Sequence, residues 1–240
     1  MLYAGSFRDL VTHMPDASVD LILTDPPYGE TSLAWDRWVP NWPSEVQRVL
    51  KPSGSLWVFG STRMFLDRAD SFRAYKFAQD IVWEKHNGSG FHADRFKRVH
   101  ENALQFYRID SPWSGVYKNV QYTMDAAPRA VRRKKQLQHM GHIEASSYTS
   151  EDGGPRLQRS VIYMRSEHGR AQHPTQKPEG IVGPLLLYSC PPGGVVFDPF
   201  AGSGTVGVVA RKHGMRFIGA ELNPAYAEMA RKRIDNATQK

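Results

Sequence analysis

The chain has 240 residues, with 31 Lys and Arg against 24 Asp and Glu, a formal net charge of +7. At roughly 150 residues per domain this means one large domain or one domain carrying an insertion, and 40% hydrophobic with 23% charged residues excludes disordered, collagen-like and disulfide-scaffold classes. The basic balance points to a polyanionic partner, and the single cysteine, Cys190, excludes an intramolecular disulfide and fits a reducing cytoplasm.

The first ten residues lack an apolar segment of signal-peptide length, and no apolar run reaches the ~18 residues of a spanning helix, so neither secretion nor membrane insertion is expected. Val19 to Leu23 reads as a short buried strand, stopped by Pro26 and Pro27, which sets Asp25 at its carboxyl end. Pro43 to Leu50 predicts a helix closed by Lys51-Pro52-Ser53-Gly54, and Ser55 to Phe59 the next strand. Met64 to Tyr75 looks helical; Asp80 to Glu84 and Ala103 to Arg108 look like strands. From Asp110 to about Glu167 the periodicity dissolves into polar residues, scattered aromatics and a basic run, Arg129, Arg132, Arg133, Lys134 and Lys135. Order returns with a helix over Pro178 to Tyr188, a strand over Val195 to Asp198, a helix over Ser203 to His213, a strand over Met215 to Glu221 and a helix over Pro224 to Ile234. The pattern is alternating α/β with parallel-sheet character. It divides into a first half at 1–109, an insertion at 110–166 and a second half at 167–240.

Two segments carry chemistry. Val195 to Asp198 runs into Pro199-Phe200-Ala201-Gly202-Ser203-Gly204-Thr205, an apolar strand, a glycine-rich turn and a helix start. Such a turn lets backbone N–H groups and the helix dipole approach an anionic ligand. Glu221 ends the next strand, where an acid accepts hydrogen bonds from ribose hydroxyls, so the pair reads as a nucleoside-cofactor site. Gly202, Gly204 and Gly207 also satisfy G-x-G-x-x-G, which brings in a nicotinamide-binding Rossmann domain. Only 33 residues follow Gly207, too few for a second mononucleotide half unless the domain is permuted. A tight turn with no ligand is the bland alternative.

The second segment is Asp25-Pro26-Pro27-Tyr28. An aromatic exocyclic amine is a poor nucleophile because its lone pair is delocalised into the ring. A carboxylate and a backbone carbonyl can accept its two N–H groups and favour a pyramidal nitrogen. The prolines stiffen the turn, and Tyr28 offers a face on which an extruded base can stack. An ordinary Pro-Pro turn after a strand is the alternative.

Together these motifs resemble those of the β-class amino-methylating DNA methyltransferases of bacteria and phages, the N6-adenine and N4-cytosine family that uses S-adenosylmethionine. Asp25-Pro26-Pro27-Tyr28 matches the catalytic motif, Asp198 to Thr205 the cofactor motif, His173-Pro174-Thr175-Gln176-Lys177-Pro178 the segment entering the cofactor half, and Gly219 to Asn223 the ribose-binding strand end. Their order, catalytic motif first, is that of the β class. Where many relatives carry Gly-Asp near the N-terminus, this chain has Gly5-Ser6.

The resemblance implies a circularly permuted, Rossmann-like α/β methyltransferase sheet with the insertion as a target-recognition segment. It implies that Asp25 and the Pro26 carbonyl hold the target amine, with Pro27 stiffening the turn, and that Tyr28 stacks on the flipped base. His173, Thr175, Gln176, Asp198, Phe200, Gly202, Ser203, Gly204, Thr205, Glu221 and Asn223 become the expected cofactor contacts, with Glu221 on the ribose. The five basic residues from Arg129 to Lys135 become expected contacts to double-stranded DNA. The expected product is N6-methyladenine, because the motif opens with Asp25 where N4-cytosine enzymes more often carry Ser; N4-cytosine methylation and a catalytically silent DNA-binding protein are the rivals. A homodimer would fit palindromic sites, and with no Asp/Glu-x-Lys pair in the chain any nuclease partner is expected on a separate chain. Cys190 reads as core, in the reverse of the Pro-Cys order of carbon-5 cytosine methylation. No metal is expected: His139 and His142 lack partner ligands.

Overall fold

The structure is a computed structural model that describes residues 1–88, 93–132, 147–167, 169 and 176–237. In chain order the elements are β1 (Leu2–Ala4), α1 (Phe7–Thr12), β2 (Val19–Thr24), α2 (Trp42–Gln47), β3 (Leu50–Gly60), α3 (Thr62–Asp67) and, after a short 3-10 turn at Ala69–Phe72, β4 (Tyr75–Glu84) and β5 (His100–Arg108). Four short strands follow: β6 (Tyr122–Thr123), β7 (Arg129–Arg132), β8 (Ser147–Ser150) and β9 (Arg156–Leu157). The chain closes with β10 (Val161–Tyr163), α4 (Glu179–Ser189), β11 (Val195–Asp198), α5 (Thr205–Lys212), β12 (Arg216–Glu221) and α6 (Pro224–Asp235).

Eight strands form one sheet in the order β1-β12-β11-β2-β3-β5-β4-β10. All neighbours pair in parallel except β5, which runs antiparallel to both β3 and β4. The alternation of side chains along the central strands sorts them onto two covered faces. Leu56 and Val58 join Ile22, Phe197 and the buried residues of α1 and α2 on one side. Trp57 and Phe59 join Leu21, Leu23 and the buried residues of α4 and α5 on the other. Cys190 is buried in this second cluster, as the core reading requires. Within the sheet, buried Gln105 donates to Ser55 Oγ at 2.8 Å and accepts from Gln79 at 2.8 Å, so its amide keeps its partners.

The chain divides into two units, one of residues 1–119 and 160–240, the other Val120–Arg159. The second unit holds two antiparallel pairs, β6 with β9 and β7 with β8. The irregular stretch expected at 110–166 is therefore broader than this unit: Val161–Tyr163 pairs in parallel with Val82–Glu84 as the sheet's outer strand. Three residues carry too little alternation to announce a strand. Met64 to Tyr75 likewise does not form one helix, because α3 ends at Asp67 and Tyr75 already belongs to β4.

The start of α5 depends on glycine. Gly204 caps the helix with φ +74°, and a Cβ there would lie 2.8 Å from Ala230 Cβ and 3.2 Å from Ala230 Cα of α6. Gly204→Ala combines left-handed backbone strain with overpacking, so we expect it to lower stability by about 2 to 4 kcal/mol. Urea unfolding of the variant beside its parent checks this; an unchanged midpoint would mean that α6 yields freely.

Candidate active site

Two adjacent parallel strands set the site. β11 feeds α5 and leads to β12 on one side, whereas β2 feeds α2 and leads to β3 on the other, so the crossovers diverge between β11 and β2. The carboxyl ends of strands at such a divergence open into a crevice. Asp25 follows the last residue of β2 and Asp198 is the last residue of β11. The Thr24 hydroxyl donates to Asp198 Oδ1 at 2.7 Å and ties the two strand ends together.

A cavity of about 480 Å³ opens there. Of the expected cofactor contacts, Asp198, Phe200, Gly202, Ser203, Thr205, Glu221 and Asn223 line it, joined by Asp25 and Pro27 of the catalytic motif. Gly5, Ser6, Phe7, Arg8, Trp35 and Tyr226 complete much of the wall, and Ser6 occupies its position as the N-cap of α1, accepting from Arg8 N at 3.2 Å. Gly204 is not on the wall: its left-handed backbone turns it against Ala230, so its role is packing. Gln176, half-buried, is not on the wall either, and the next residue, Lys177, takes that place. His173 and Thr175 lie outside the described residues.

The cavity's chemistry fits a nucleoside cofactor with a charged tail. Glu221 is fixed at both oxygens by backbone donors, Gly202 N–H to Oε2 at 2.8 Å and Asn223 N–H to Oε1 at 2.9 Å, leaving further lone pairs for hydroxyls. Gly202, at φ +49°, keeps the turn free of side-chain bulk. Asp198 is buried; removal from water pushes its carboxyl up to about 7, against the hydrogen bonds from Thr24 and Phe200 N–H that pull it down.

Around the catalytic turn, Asp25 has both oxygens engaged. The Tyr28 hydroxyl donates to Oδ1 and the Lys177 ammonium to Oδ2. Burial raises the Asp25 carboxyl and the Tyr28 phenol above their ordinary values, the phenol strongly, so Tyr28 stays a donor. Pro26 is buried. The loop beyond is held by Asp36, which accepts N–H bonds from Gly29 at 2.9 Å, Glu30 at 3.1 Å and Thr31 at 2.7 Å. Burial alone would raise the Asp36 carboxyl, but these donors outweigh it and hold the group below its usual value. No role could be read from the sequence for Asp36 or Glu101, nor for Lys177 beyond its place in the His173 to Pro178 motif; a carboxylate seven residues beyond Gly29 is the one local signal available for Asp36.

Arg129 and Arg132 are exposed at the two ends of β7 in the second unit. Arg133, Lys134 and Lys135, and also His139 and His142, lie outside the described residues. A second basic stretch, Arg95, Phe96, Lys97 and Arg98, is exposed in the first unit, with Arg98 reaching Glu30 at 3.6 Å. Among the described residues no cluster of His, Cys, Asp and Glu has the arrangement of a metal site, and no helix is long and apolar enough to cross a membrane.

The raised Asp198 carboxyl makes a stability prediction. Its folded value, about 7, exceeds the ~3.9 of a free aspartate, so the folded state holds this proton more tightly than the unfolded chain. The stability it contributes is complete below about pH 4 and is lost as pH rises towards 7. Asp198→Asn keeps an acceptor for Thr24 and removes the ionisation. Its melting temperature relative to the parent should therefore rise between pH 5 and pH 8; a constant difference would show that Asp198 ionises normally.

Comparison with known proteins agrees with this fold. The chain is 32% identical over 249 residues to the DNA adenine methyltransferase YhdJ of Escherichia coli (strain K12), covering 94% of this chain and 79% of the relative. It is 29% identical over 258 residues to the type II methyltransferase M.HinfI of Haemophilus influenzae, covering 96% and 67%. Among solved structures, the M1.HpyAVI–SAM complex superposes with a TM-score of 0.65 at 22% identity over 98% of both chains. The cytosine-N4-specific PvuII DNA methyltransferase superposes with a TM-score of 0.66 at 18% identity over 99% of this chain and 87% of that one. The DNA methylase family model for N6 and N4 methylation matches residues 19–232, and the chain belongs to that family of DNA amino-methyltransferases.

Proposed function

We propose that this protein transfers the methyl group of S-adenosylmethionine to N6 of adenine in double-stranded DNA. The observation that carries the reading is that Asp25 lines the same cavity as Asp198, Gly202 and Glu221. S-adenosylmethionine supplies an electrophilic methyl group on a sulfonium. Glu221 accepts from the ribose hydroxyls, and the Gly202 to Thr205 turn with Phe200 and Asn223 encloses the remainder.

A flipped adenine presents two N–H donors from its exocyclic nitrogen. One Asp25 oxygen and the Pro26 carbonyl accept them, which draws the nitrogen towards a pyramidal form with its lone pair directed at the methyl group. Tyr28 provides the stacking face. After transfer the nitrogen carries one proton in excess, and the Asp25 carboxylate is the base within reach. No covalent intermediate on the protein is required.

Adenine is favoured over cytosine by the Asp that opens the motif and by the 32% identity to an adenine methyltransferase. N4-cytosine methylation stays the second reading because the PvuII enzyme shares this fold. Mass analysis of nucleosides from plasmid DNA incubated with the protein and S-adenosylmethionine decides between them: N6-methyladenine is expected, N4-methylcytosine would replace the reading, and neither product would remove it. Asp25→Ala should abolish transfer while leaving cofactor affinity within a few-fold. Tyr28→Phe should retain much of the activity and Tyr28→Ala little, because stacking needs the ring; equal losses would assign the work to the hydroxyl.

The second unit, with Arg129, Arg132, Arg133, Lys134 and Lys135, is the proposed target-recognition segment. Each phosphate neutralised contributes ~0.9 to the slope of log K against log salt. Replacing Arg132, Arg133, Lys134 and Lys135 by Ala should flatten that slope by up to about 3.6 and weaken binding to all duplex sequences alike. An unchanged slope moves the contacts elsewhere, with Arg95, Lys97 and Arg98 next in line.

A further inference from the structure

The proposed chemistry uses Asp25, Pro26 and Tyr28, yet three more ionisable groups are buried directly behind Asp25. Lys177 Nζ bonds Asp25 Oδ2 and lies 3.3 Å from Glu101 Oε2, with only 9% of the Lys177 side chain exposed. Glu101, 14% exposed, is bonded through its other oxygen to Lys85, 11% exposed. Lys177 also sits 5.4 Å over the Phe59 ring, and Lys85 4.5 Å over the Trp83 ring. The result is a chain of alternating charge: Asp25, Lys177, Glu101, Lys85.

The fold assembles it from four elements. Asp25 leaves β2, Glu101 is the second residue of β5, Lys85 follows β4 and Lys177 immediately precedes the N-cap of α4. Because β5 is antiparallel to its neighbours, its amino end lies at the same sheet edge as the carboxyl ends of β2 and β4. Burying charges this deeply is costly unless each is paired, and breaking one pair strands the others. The chain ends on the carboxylate that the proposed chemistry uses.

We propose that Lys177, held in place by Glu101 and through it by Lys85, is a positioning residue for methyl transfer: it anchors one oxygen of Asp25, fixes the rotamer that presents the other to the target amine, and balances the charge of the buried carboxylate. This rests on the reading of Asp25 as the acceptor for the amine. The anchor frees the amine from competing for Oδ2, so the oxygen that must change partners on base entry is Oδ1, released by Tyr28. Glu101 supplies the opposing charge that stops Lys177 from following Asp25 out of the pocket.

The charged and titratable groups facing Asp25 are Tyr28 on its own turn, Lys177 before α4, Glu101 on β5 and Asp198 at the end of β11; Glu30 faces Tyr28. Burial pushes the Asp25 carboxyl up, Lys177 opposes it and Glu101 adds to it. Removing Lys177 and removing the charge of Glu101 must then move Asp25 in opposite directions. A variant that merely loosened the fold would not give shifts whose sign follows the charge removed.

The test is the pH dependence of the single-turnover methylation rate of the full chain on duplex DNA at saturating S-adenosylmethionine, for the parent, Lys177→Met, Lys177→Arg and Glu101→Gln. The acid limb of the parent reports Asp25. Lys177→Met should slow transfer at least about tenfold at neutral pH and move the acid limb up by about 1 to 3 pH units. Glu101→Gln should move it down, and Lys177→Arg should restore most of the rate with the parent's limb. Binding of DNA should change less than the rate in all three. Limbs that stay in place, or that move in the same direction for Lys177→Met and Glu101→Gln, would overturn the proposal. If Lys177→Met does not fold, Glu101→Gln still decides by the downward shift of its limb, and Lys177→Arg by keeping the parent's rate and limb. A parent with no methylation at all would instead defeat the proposed function, so the two failures are distinct.

Discussion

The 2.7 Å hydrogen bond from the Thr24 hydroxyl to Asp198 joins strand ends 174 residues apart in sequence, and the rest of the site is arranged around that junction. β2 delivers the turn proposed to handle the target base and β11 the turn proposed to handle the cofactor. They can meet only if the two strands lie side by side with their carboxyl ends together. Parallel pairing between Val196 and Leu21 and between Phe197 and Ile22 sets that register. Both strands are buried on both faces, so a slip of one residue would carry apolar side chains across the sheet and displace both turns at once.

Once the strand ends are fixed, the carboxylates around them are sorted by their partners. Glu101, Asp25 and Asp198 are all largely removed from water, which by itself raises each one. Glu101 faces two ammonium groups and is held at about 2 in spite of its burial. Asp198 faces hydroxyl and amide donors and the like charges of Asp25 and Glu221, and burial pushes it up to about 7. Asp25 lies between them and is shared by one ammonium and one phenol. Three neighbouring buried acids are therefore shifted differently, according to which cations lie near each.

Rigidity is supplied locally. Asp36 takes three backbone N–H groups of the loop after the catalytic turn, Asn223 caps α6 by accepting from Ala225 N–H at 2.9 Å, and Glu221 braces the cofactor turn through Gly202. Each acceptor satisfies donors that would otherwise be unpaired at a turn or helix start, and so fixes the backbone from which a functional side chain projects.

The residues themselves determined the strands that carry function: Val19 to Leu23 and Val195 to Asp198 are apolar runs of strand length ended by proline or glycine, and both form where local chemistry demands. The Asp25 to Tyr28 tetrapeptide, the glycine-rich turn and Glu221 are local signals that could be read directly, and the structure brings residues of all three to one cavity. So could the helix begun by Pro224, since proline suits a first helical turn. Short elements escaped. β1, α1 and β10 have three, six and three residues, too few to display a period, and are held by pairing with distant strands or by packing on the core. Lys177, Glu101 and Lys85 escaped for a different reason: no spacing along the chain links them to Asp25. Only the tertiary structure, by placing an antiparallel strand between two parallel ones, brought an amino end to the edge where the other strands finish, and so put Glu101 and its two lysines behind Asp25.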